Sequence, residues 1–180
     1  EIMLEQVIVA GFGGQGVLSL GKMLAEAGME EGKNVTWLPS YGPEMRGGTS
    51  NCNVIISDDW IGAPNITQAD AVIAMNLPSM IKFESYVAPG AHLFVNSSII
   101  DRKATRDDIH VHYIPANDIA ESLGTLKAAN MVMMGAYLAI NSVVDPETVI
   151  DQLQIVFGEK KAHLIPMNRK CIEAGAQSVK

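Results

Sequence analysis

The chain has 180 residues, 48% of them hydrophobic, which is enough to bury the core of one domain but short for two. Its formal net charge is −7 and no basic run exceeds two residues, which argues against sequence-independent binding to nucleic acid. Its two cysteines form no Cys-x-x-Cys pair, so this chain alone cannot hold an iron–sulfur cluster or a zinc ion on thiolates.

The hydrophobic pattern predicts strands that alternate with helices along most of the chain. A β-branched strand at residues 6–10 leads through a glycine-rich turn into a helix over Val17–Glu30. Further strands are predicted at residues 34–38, 51–57, 69–75, 89–98 and 107–118, with a helix at residues 78–86. Helical segments then follow at residues 119–123, 127–143, 146–157 and 164–174.

This alternation predicts a single α/β domain over residues 1–180, with a Rossmann-like three-layer fold, a mainly parallel sheet and helical C-terminal segments. The acidic start of the chain does not resemble a secretory signal, and the apolar segment at residues 130–144 is shorter than the ~20 residues of a membrane span. We therefore expect a cytoplasmic protein without a membrane span, in which Cys52 and Cys171 are buried, reduced thiols.

A glycine-rich turn follows the first strand and supplies the first candidate site. The Gly-x-Gly-x-x-Gly pattern runs through Gly11, Gly13, Gly14, Gln15 and Gly16 and opens the first helix. Free N–H groups and the positive end of the helix dipole would attract an anion there. The alternative, that the glycines only let helix and strand pack closely, is equally compatible with the sequence.

The same turn is typical of NAD sites, but the second strand lacks the residue that such a site requires. NAD-binding folds carry an acidic side chain at the tip of that strand, where it holds the ribose hydroxyls. Here residues 37–40 read Trp-Leu-Pro-Ser, and Glu44 lies several residues into the following loop. The sequence therefore argues against an NAD site.

A second loop, at residues 40–48, carries charged residues among glycines. Glu44 and Arg46 precede Gly47 and Gly48, which leave the backbone free to turn. Loops at the carboxyl ends of parallel strands converge on one edge of a sheet, so this loop should share an edge with the glycine-rich turn. Arg46 would then offer a guanidinium to an anion; alternatively, Glu44 and Arg46 form an ion pair that pins the loop.

Three further features admit ordinary structural interpretations. His110 and His112 lie on one face of a predicted strand, at a spacing compatible with metal binding, but without a third ligand we favour ordinary strand residues. Asn130 could bond a facing loop or reach the functional edge, although capping of its own helix is favoured. The same helix carries methionines suited to a core or a subunit interface, Met131, Met133 and Met134.

The two loop motifs together resemble the γ subunits of the 2-oxoacid:ferredoxin oxidoreductases. The resemblance is carried by GFGGQGV at residues 11–17 and SYGPEMRGGTSNCNVIIS at residues 40–57. It continues in AVIAMN at residues 71–76, LFVNSSII at residues 93–100 and AANMVMMGAYLA at residues 128–139. The sequence of the second loop is most similar to that of the family branch that acts on 2-oxoglutarate or branched-chain 2-oxoacids.

This resemblance implies a subunit that is inactive by itself. Thiamine diphosphate, Mg²⁺ and iron–sulfur clusters would be held by α, β and ferredoxin-like δ subunits, with ferredoxin as acceptor. The glycine-rich turn, Arg46 and Asn130 would lie near the active site and help to receive coenzyme A. The alternative from a different class is a stand-alone nucleotide- or flavin-binding protein.

Overall fold

The computed structural model describes residues 1–41 and 49–180, which form one six-stranded sheet flanked by helices. The strands are β1 Leu4–Phe12, β2 Asn34–Tyr41, β3 Thr49–Ser57, β4 Ala69–Ala74, β5 Val87–Asn96 and β6 His110–Ile114. The helices are α1 Val17–Glu30, α2 Leu77–Phe83, α3 Ala116–Ser122, α4 Ala129–Asn141, α5 Pro146–Phe157 and α6 Ile165–Ser178.

The sheet has the strand order β2-β3-β1-β4-β5-β6. Strands β1, β4, β5 and β6 run parallel to one another, whereas β3 runs antiparallel to both of its neighbours, β1 and β2. The predicted α/β fold with a mainly parallel sheet is confirmed. The antiparallel β3 follows from its short connection to β2, because a parallel pair needs a crossover of about a dozen residues or more.

Helices cover the two faces of the sheet unequally. On the first face, here called the helical face, α1, α3, α4, α5 and α6 pack over strand residues such as Val7, Val9 and Phe94. On the second face, Met80 and Phe83 of α2 pack over Ile8 and neighbouring strand residues. The C-terminal helices therefore add to the layer that α1 begins, and they bring α4 beside the glycine-rich turn.

Most predicted helices are confirmed in position, and several boundaries need correction, including that of α3, which begins at Ala116 instead of residue 119, and that of α6, which extends to Ser178. The predicted helix at residues 127–143 begins with a 3₁₀ turn, Leu126–Ala128, and α4 ends where Ser142 takes a φ of 44°. Of the strand predicted within residues 107–118, only His110–Ile114 is extended, because the chain turns at Pro115 into α3.

Both cysteines are free and buried. The thiol of Cys52 donates to the carbonyl oxygen of Val17 at 3.7 Å, and burial raises its pKa to about 12, so this thiol is unreactive near neutral pH. In the described residues, no helix combines the length and the apolar character needed to cross a lipid bilayer.

Candidate functional site

The glycine-rich turn joins the end of β1 to the start of α1 through left-handed backbone. Gly14 and Gly16 have φ angles of 89° and 74°, a region that side chains with a Cβ rarely adopt. Gly16 is the N-cap of α1, and its carbonyl oxygen accepts from the Leu20 N–H at 2.9 Å. The turn therefore presents the first N–H groups of α1 at the carboxyl edge of the sheet.

Gln15 ties this turn to the neighbouring strand. Its Oε1 accepts from the Phe12 N–H at 2.7 Å, and its Nε2 donates to the carbonyl oxygen of Met75 at 3.1 Å. Met75 directly follows β4, so the side chain of Gln15 bridges the carboxyl ends of β1 and β4. The motif suggested Gln15 only as a loop position, and nothing in the sequence marked its partner.

The bridge formed by Gln15 lies where dinucleotide-binding folds place their ligand. The connection after β1 leads to the helical face and the connection after β4 leads to the second face, so these two strands define the topological switch point. Gln15 spans that crevice. Moreover, β3 separates β2 from β1, which puts the tip of β2 about 10 Å from β1. An acid on β2 could not perform its usual role, and the geometry disfavours an NAD site.

Asn130 connects α4 to the glycine-rich turn. Its Nδ2 donates to the carbonyl oxygen of Gly16 at 3.2 Å, and α4 has no side-chain cap. The favoured prediction, that Asn130 caps its own helix, is therefore wrong. The alternative prediction, that Asn130 bonds a facing loop, agrees with this hydrogen bond. The register between α4 and α1 that creates this contact is a property of the tertiary packing.

The N-termini of α1 and α4 converge at this contact, which gives the edge its electrostatic character. Neither helix has an acidic residue in its first turn or a side chain that caps its free N–H groups. Lys127, in the 3₁₀ turn that leads directly into α4, lines a cavity of about 400 Å³ together with Gly14, Gln15 and Asn117. Two helix dipoles and one ammonium group thus present positive potential to the same space.

A second cavity, of about 390 Å³, lies on the other side of the turn. Gly13, Gly14 and Ser19 line it together with Ser50 of β3. A Cβ placed on Gly13 or Gly14 would meet no atom of residues 1–41 and 49–180 within 4 Å, so the backbone of the turn is open with respect to this part of the chain. A ligand could therefore approach these backbone N–H groups closely.

The second candidate loop lies outside the described residues. Glu44, Arg46, Gly47 and Gly48 belong to residues 42–48, so the structure does not describe their positions. The strand residues that flank them are described: Thr49 pairs with Phe12 across β3 and β1. The loop therefore starts and ends at the sheet edge that carries the glycine-rich turn.

Replacing Gly16 with alanine should destabilise the chain for two reasons. Gly16 has left-handed backbone, which residues with a Cβ rarely adopt, and the added Cβ would overlap the side-chain amide of Asn130. We expect a loss of about 1–3 kcal/mol in the free energy of unfolding. Gly13→Ala is the matched control, since its Cβ would contact none of the described residues, and it should change stability by less than about 0.5 kcal/mol. Chemical denaturation of both variants measures the difference, and equal losses would contradict the proposed contact.

The histidine pair predicted on the last strand belongs to a cluster of three. His92 of β5 is the cross-strand partner of His110, and its Nδ1 lies 3.0 Å from Nε2 of His112. Burial lowers the pKa of both His92 and His112, which favours neutral rings. In residues 1–41 and 49–180, no group of three His, Cys, Asp or Glu side chains is arranged to hold a metal ion. His92 lies 18 residues before His110, so its membership of this cluster follows from the register of β5 and β6 and could not be predicted from spacing.

Comparison with known proteins gives a consistent result across sequence and structure. The family model for pyruvate ferredoxin/flavodoxin oxidoreductase matches residues 6–178. The chain is 39% identical over 173 residues to the ketoisovalerate oxidoreductase subunit VorA of Methanothermobacter thermautotrophicus, covering 96% of this chain and 36% of VorA. It is 34% identical over 149 residues to the 2-oxoglutarate synthase subunit KorC of Methanothermobacter marburgensis, covering 79% of this chain and 80% of KorC.

A solved structure has the same fold over nearly the whole chain. The γ subunit of a keto/oxoacid ferredoxin oxidoreductase from Geobacter sulfurreducens superposes with a TM-score of 0.83 at 29% identity. The match covers 97% of this chain and 98% of that subunit. VorA is much longer, and this chain spans little more than a third of its length.

Proposed function

This chain belongs to the pyruvate ferredoxin/flavodoxin oxidoreductase family, and we propose that it is the γ component of a multi-subunit 2-oxoacid:ferredoxin oxidoreductase. The assembled enzyme converts a 2-oxoacid and coenzyme A into an acyl-CoA and carbon dioxide and passes the electrons to ferredoxin. The proposed substrates are 2-oxoisovalerate and 2-oxoglutarate, because the VorA and KorC relatives are named for these two acids. The proposed location is the cytoplasm.

The redox groups of this enzyme are assigned to partner subunits. Thiamine diphosphate, Mg²⁺ and iron–sulfur clusters would reside on α, β and ferredoxin-like δ subunits. The thiol groups of this chain support the assignment of the clusters to partner subunits, because two separate buried cysteines cannot ligate a cluster. Thiamine diphosphate supplies the carbanion chemistry in such an enzyme, and none of the residues of this chain is assigned a catalytic step.

We propose that this chain contributes an anion-binding edge for coenzyme A. The observation that carries this proposal is the convergence of the uncapped N-termini of α1 and α4 at Gly16 and Asn130. Backbone N–H groups at helix N-termini suit a pyrophosphate, and Lys127 lies beside them. Arg46, on the loop that starts and ends at this edge, would bind a phosphate or carboxylate of the ligand through two hydrogen bonds.

The isolated chain is expected to be colourless and to lack 2-oxoacid oxidation activity. The reason is that the electron carriers and thiamine diphosphate are assigned to other subunits. The measurement is reduction of a viologen dye with 2-oxoisovalerate or 2-oxoglutarate, with and without the partner subunits. Activity of the chain alone would overturn the proposed function. Tight binding of NAD or FAD by the chain alone would favour the stand-alone nucleotide-binding alternative.

Replacing Arg46 with alanine should weaken the use of coenzyme A without unfolding the chain. We expect about a tenfold higher KM for coenzyme A, or a comparable loss of turnover, since a charged hydrogen bond contributes about 1.5–3 kcal/mol. The melting temperature should stay close to that of the native chain, because an exposed ion pair contributes about 0–1 kcal/mol.

Steady-state kinetics and thermal melting of the same reconstituted Arg46→Ala enzyme test this expectation. Arg102→Ala, in the connection between β5 and β6, is the control for the loss of one guanidinium. Unchanged kinetics together with a lower melting temperature would instead identify Arg46 as the partner of Glu44 in a loop-pinning ion pair.

A further inference from the structure

A polar cleft lies on the second face of the sheet, away from α1. It has a volume of about 500 Å³, and Ile8 of β1 lies at its floor while Phe83 and Tyr86 form part of its wall. Neutral hydrogen-bonding side chains make up most of its lining, namely Ser40, Thr49, Asn51, Asn53, Asn65 and Thr67. We call this feature the polar cleft.

The polar lining results from the way side chains along β3 point alternately to the two faces of the sheet. Cys52 and Val54 point into the core on the helical face, so Asn51 and Asn53 point to the second face. Sheets in α/β folds are usually apolar on both faces because helices cover both. Here α2 packs against β1 and β4, whereas the asparagines of β3 remain only partly buried. Polar residues therefore stand where a covering helix would require apolar ones.

The hydrogen-bonding capacity of the cleft is available to another molecule. None of the side-chain hydrogen bonds found between described residues uses Asn51, Asn53 or Asn65. An amide side chain both donates and accepts, so a row of asparagines and hydroxyls can satisfy the N–H and C=O groups of a polypeptide backbone. Within residues 1–41 and 49–180, the titratable groups that line the cleft are Lys82 and the phenol of Tyr86, and these two do not form an acid–base pair for catalysis.

The charge of the cleft indicates what kind of segment it accepts. The chain as a whole has a net charge of −7, yet among the described residues the lining of the cleft includes one ammonium group, that of Lys82, and no carboxylate. A neutral segment that carries one acidic side chain is complementary to this lining, whereas a basic segment would meet Lys82 with like charge.

Two observations connect the cleft with a partner polypeptide. Ser40 and Thr49 line it and also flank residues 42–48, so a segment bound there would adjoin the loop that carries Arg46. This chain also matches little more than a third of VorA, so in that relative the same fold occurs within a longer polypeptide.

We propose that the polar cleft receives a loop from a partner subunit of the same enzyme, with an acidic side chain of that loop placed against Lys82. The inference rests on the proposed function, since it requires a partner subunit.

Site-specific cross-linking in the intact complex tests this docking. A photoreactive benzoylphenylalanine replaces Asn53, and the complex is purified through a tag on this chain, irradiated and analysed by peptide mass spectrometry. We expect one dominant cross-link to a partner segment that contains Asp or Glu. Asn34→benzoylphenylalanine, an exposed position near the other end of the same strand pair, is the control and should not give that cross-link.

A charge reversal supplies the second measurement. Lys82→Glu should raise the dissociation constant for the partner subunits at least about tenfold, whereas Lys22→Glu, exposed on α1 of the helical face, should leave it unchanged. Equal effects of the two reversals would overturn the proposal, as would a cross-link confined to this chain or no cross-link. If the tagged chain purifies with no partner at all, the proposed function falls as well; a normal complex without the Asn53 cross-link overturns only the docking site.

Discussion

Gly135→Ala is expected to lower the free energy of unfolding by about 3 kcal/mol, although the same change in an isolated helix would be favourable by about 1 kcal/mol. Gly135 lies in the middle of α4, where α6 crosses it. A Cβ added there would overlap the backbone carbonyl oxygen of Ile172 in α6. Backbone atoms of a packed helix cannot move aside as a flexible side chain can, so the helices would have to separate.

The contact is reciprocal, which makes the expected result specific. A Cβ added to Gly175 of α6 would overlap the carbonyl oxygen of Val132 in α4. Gly175→Ala should therefore destabilise the chain by a similar amount. Gly62→Ala is the control, because among the described residues its Cβ would meet only the ring of Trp60 at 3.6 Å, an ordinary contact.

Thermal melting and chemical denaturation measure these variants. A loss of about 3 kcal/mol corresponds to a fall of roughly 6–12 °C in the melting temperature of a chain of this size. A Gly135→Ala variant as stable as Gly62→Ala would show that α4 and α6 do not approach as closely as described. The Gly135 and Gly175 variants should not add fully, since each separates the same two helices.

Local sequence patterns were sufficient to predict most of the elements. The periodicity of α1 gave its bounds, and Pro146 at the start of α5, after the capping residue Asp145, marks where that helix begins. Strand alternation with helices also gave the fold class. These features depend on neighbours in the sequence, which is why they can be predicted without a structure.

The predictions that were wrong, and the contacts that were not predicted, depend on residues distant in the sequence. The bridge from Gln15 to Met75 spans 60 residues, and the bond from Asn130 to Gly16 spans 114. The antiparallel direction of β3 had a usable signal, because residues 42–48 are too few for a crossover. The close packing at Gly135 also had a sequence signal, since a glycine inside an apolar helix usually has a packing reason. No sequence signal indicated that α6 is the helix that packs against it.

Glu5 has an environment that opposes ionisation. It lies on β1, where its Oε1 accepts from the Tyr137 hydroxyl at 2.9 Å and from Nδ2 of Asn141 at 2.5 Å. Burial, together with the nearby Asp70, raises the pKa of Glu5 from 4.5 to about 7, and the hydrogen bonds from Asn141 and Tyr137 only partly offset this rise. The folded chain therefore keeps a proton on Glu5 at pH values where the unfolded chain has lost it.

The contribution of Glu5 to the free energy of unfolding should consequently fall as the pH rises from about 4.5 to about 7 and should level off above that range. At Glu5 the folded state binds more protons than the unfolded state in this window, so the slope of this contribution is negative. At 1.4 kcal/mol per pKa unit the shift corresponds to about 3 kcal/mol, an upper value because the residue is only partly buried.

Glu5→Gln removes this titration while it retains the shape of the neutral side chain, and Glu30→Gln, at an exposed position of α1, is the control for the loss of one carboxylate. Urea denaturation at intervals between pH 5 and pH 8.5 should show Glu5→Gln close to the native chain at the acidic end and more stable than it by up to about 3 kcal/mol at the alkaline end. Comparison at each pH removes the contributions of the other titrating groups, which both proteins share. Parallel profiles for native chain and Glu5→Gln would show that Glu5 ionises as easily in the folded state as in the unfolded one, and would contradict the buried contact with Tyr137.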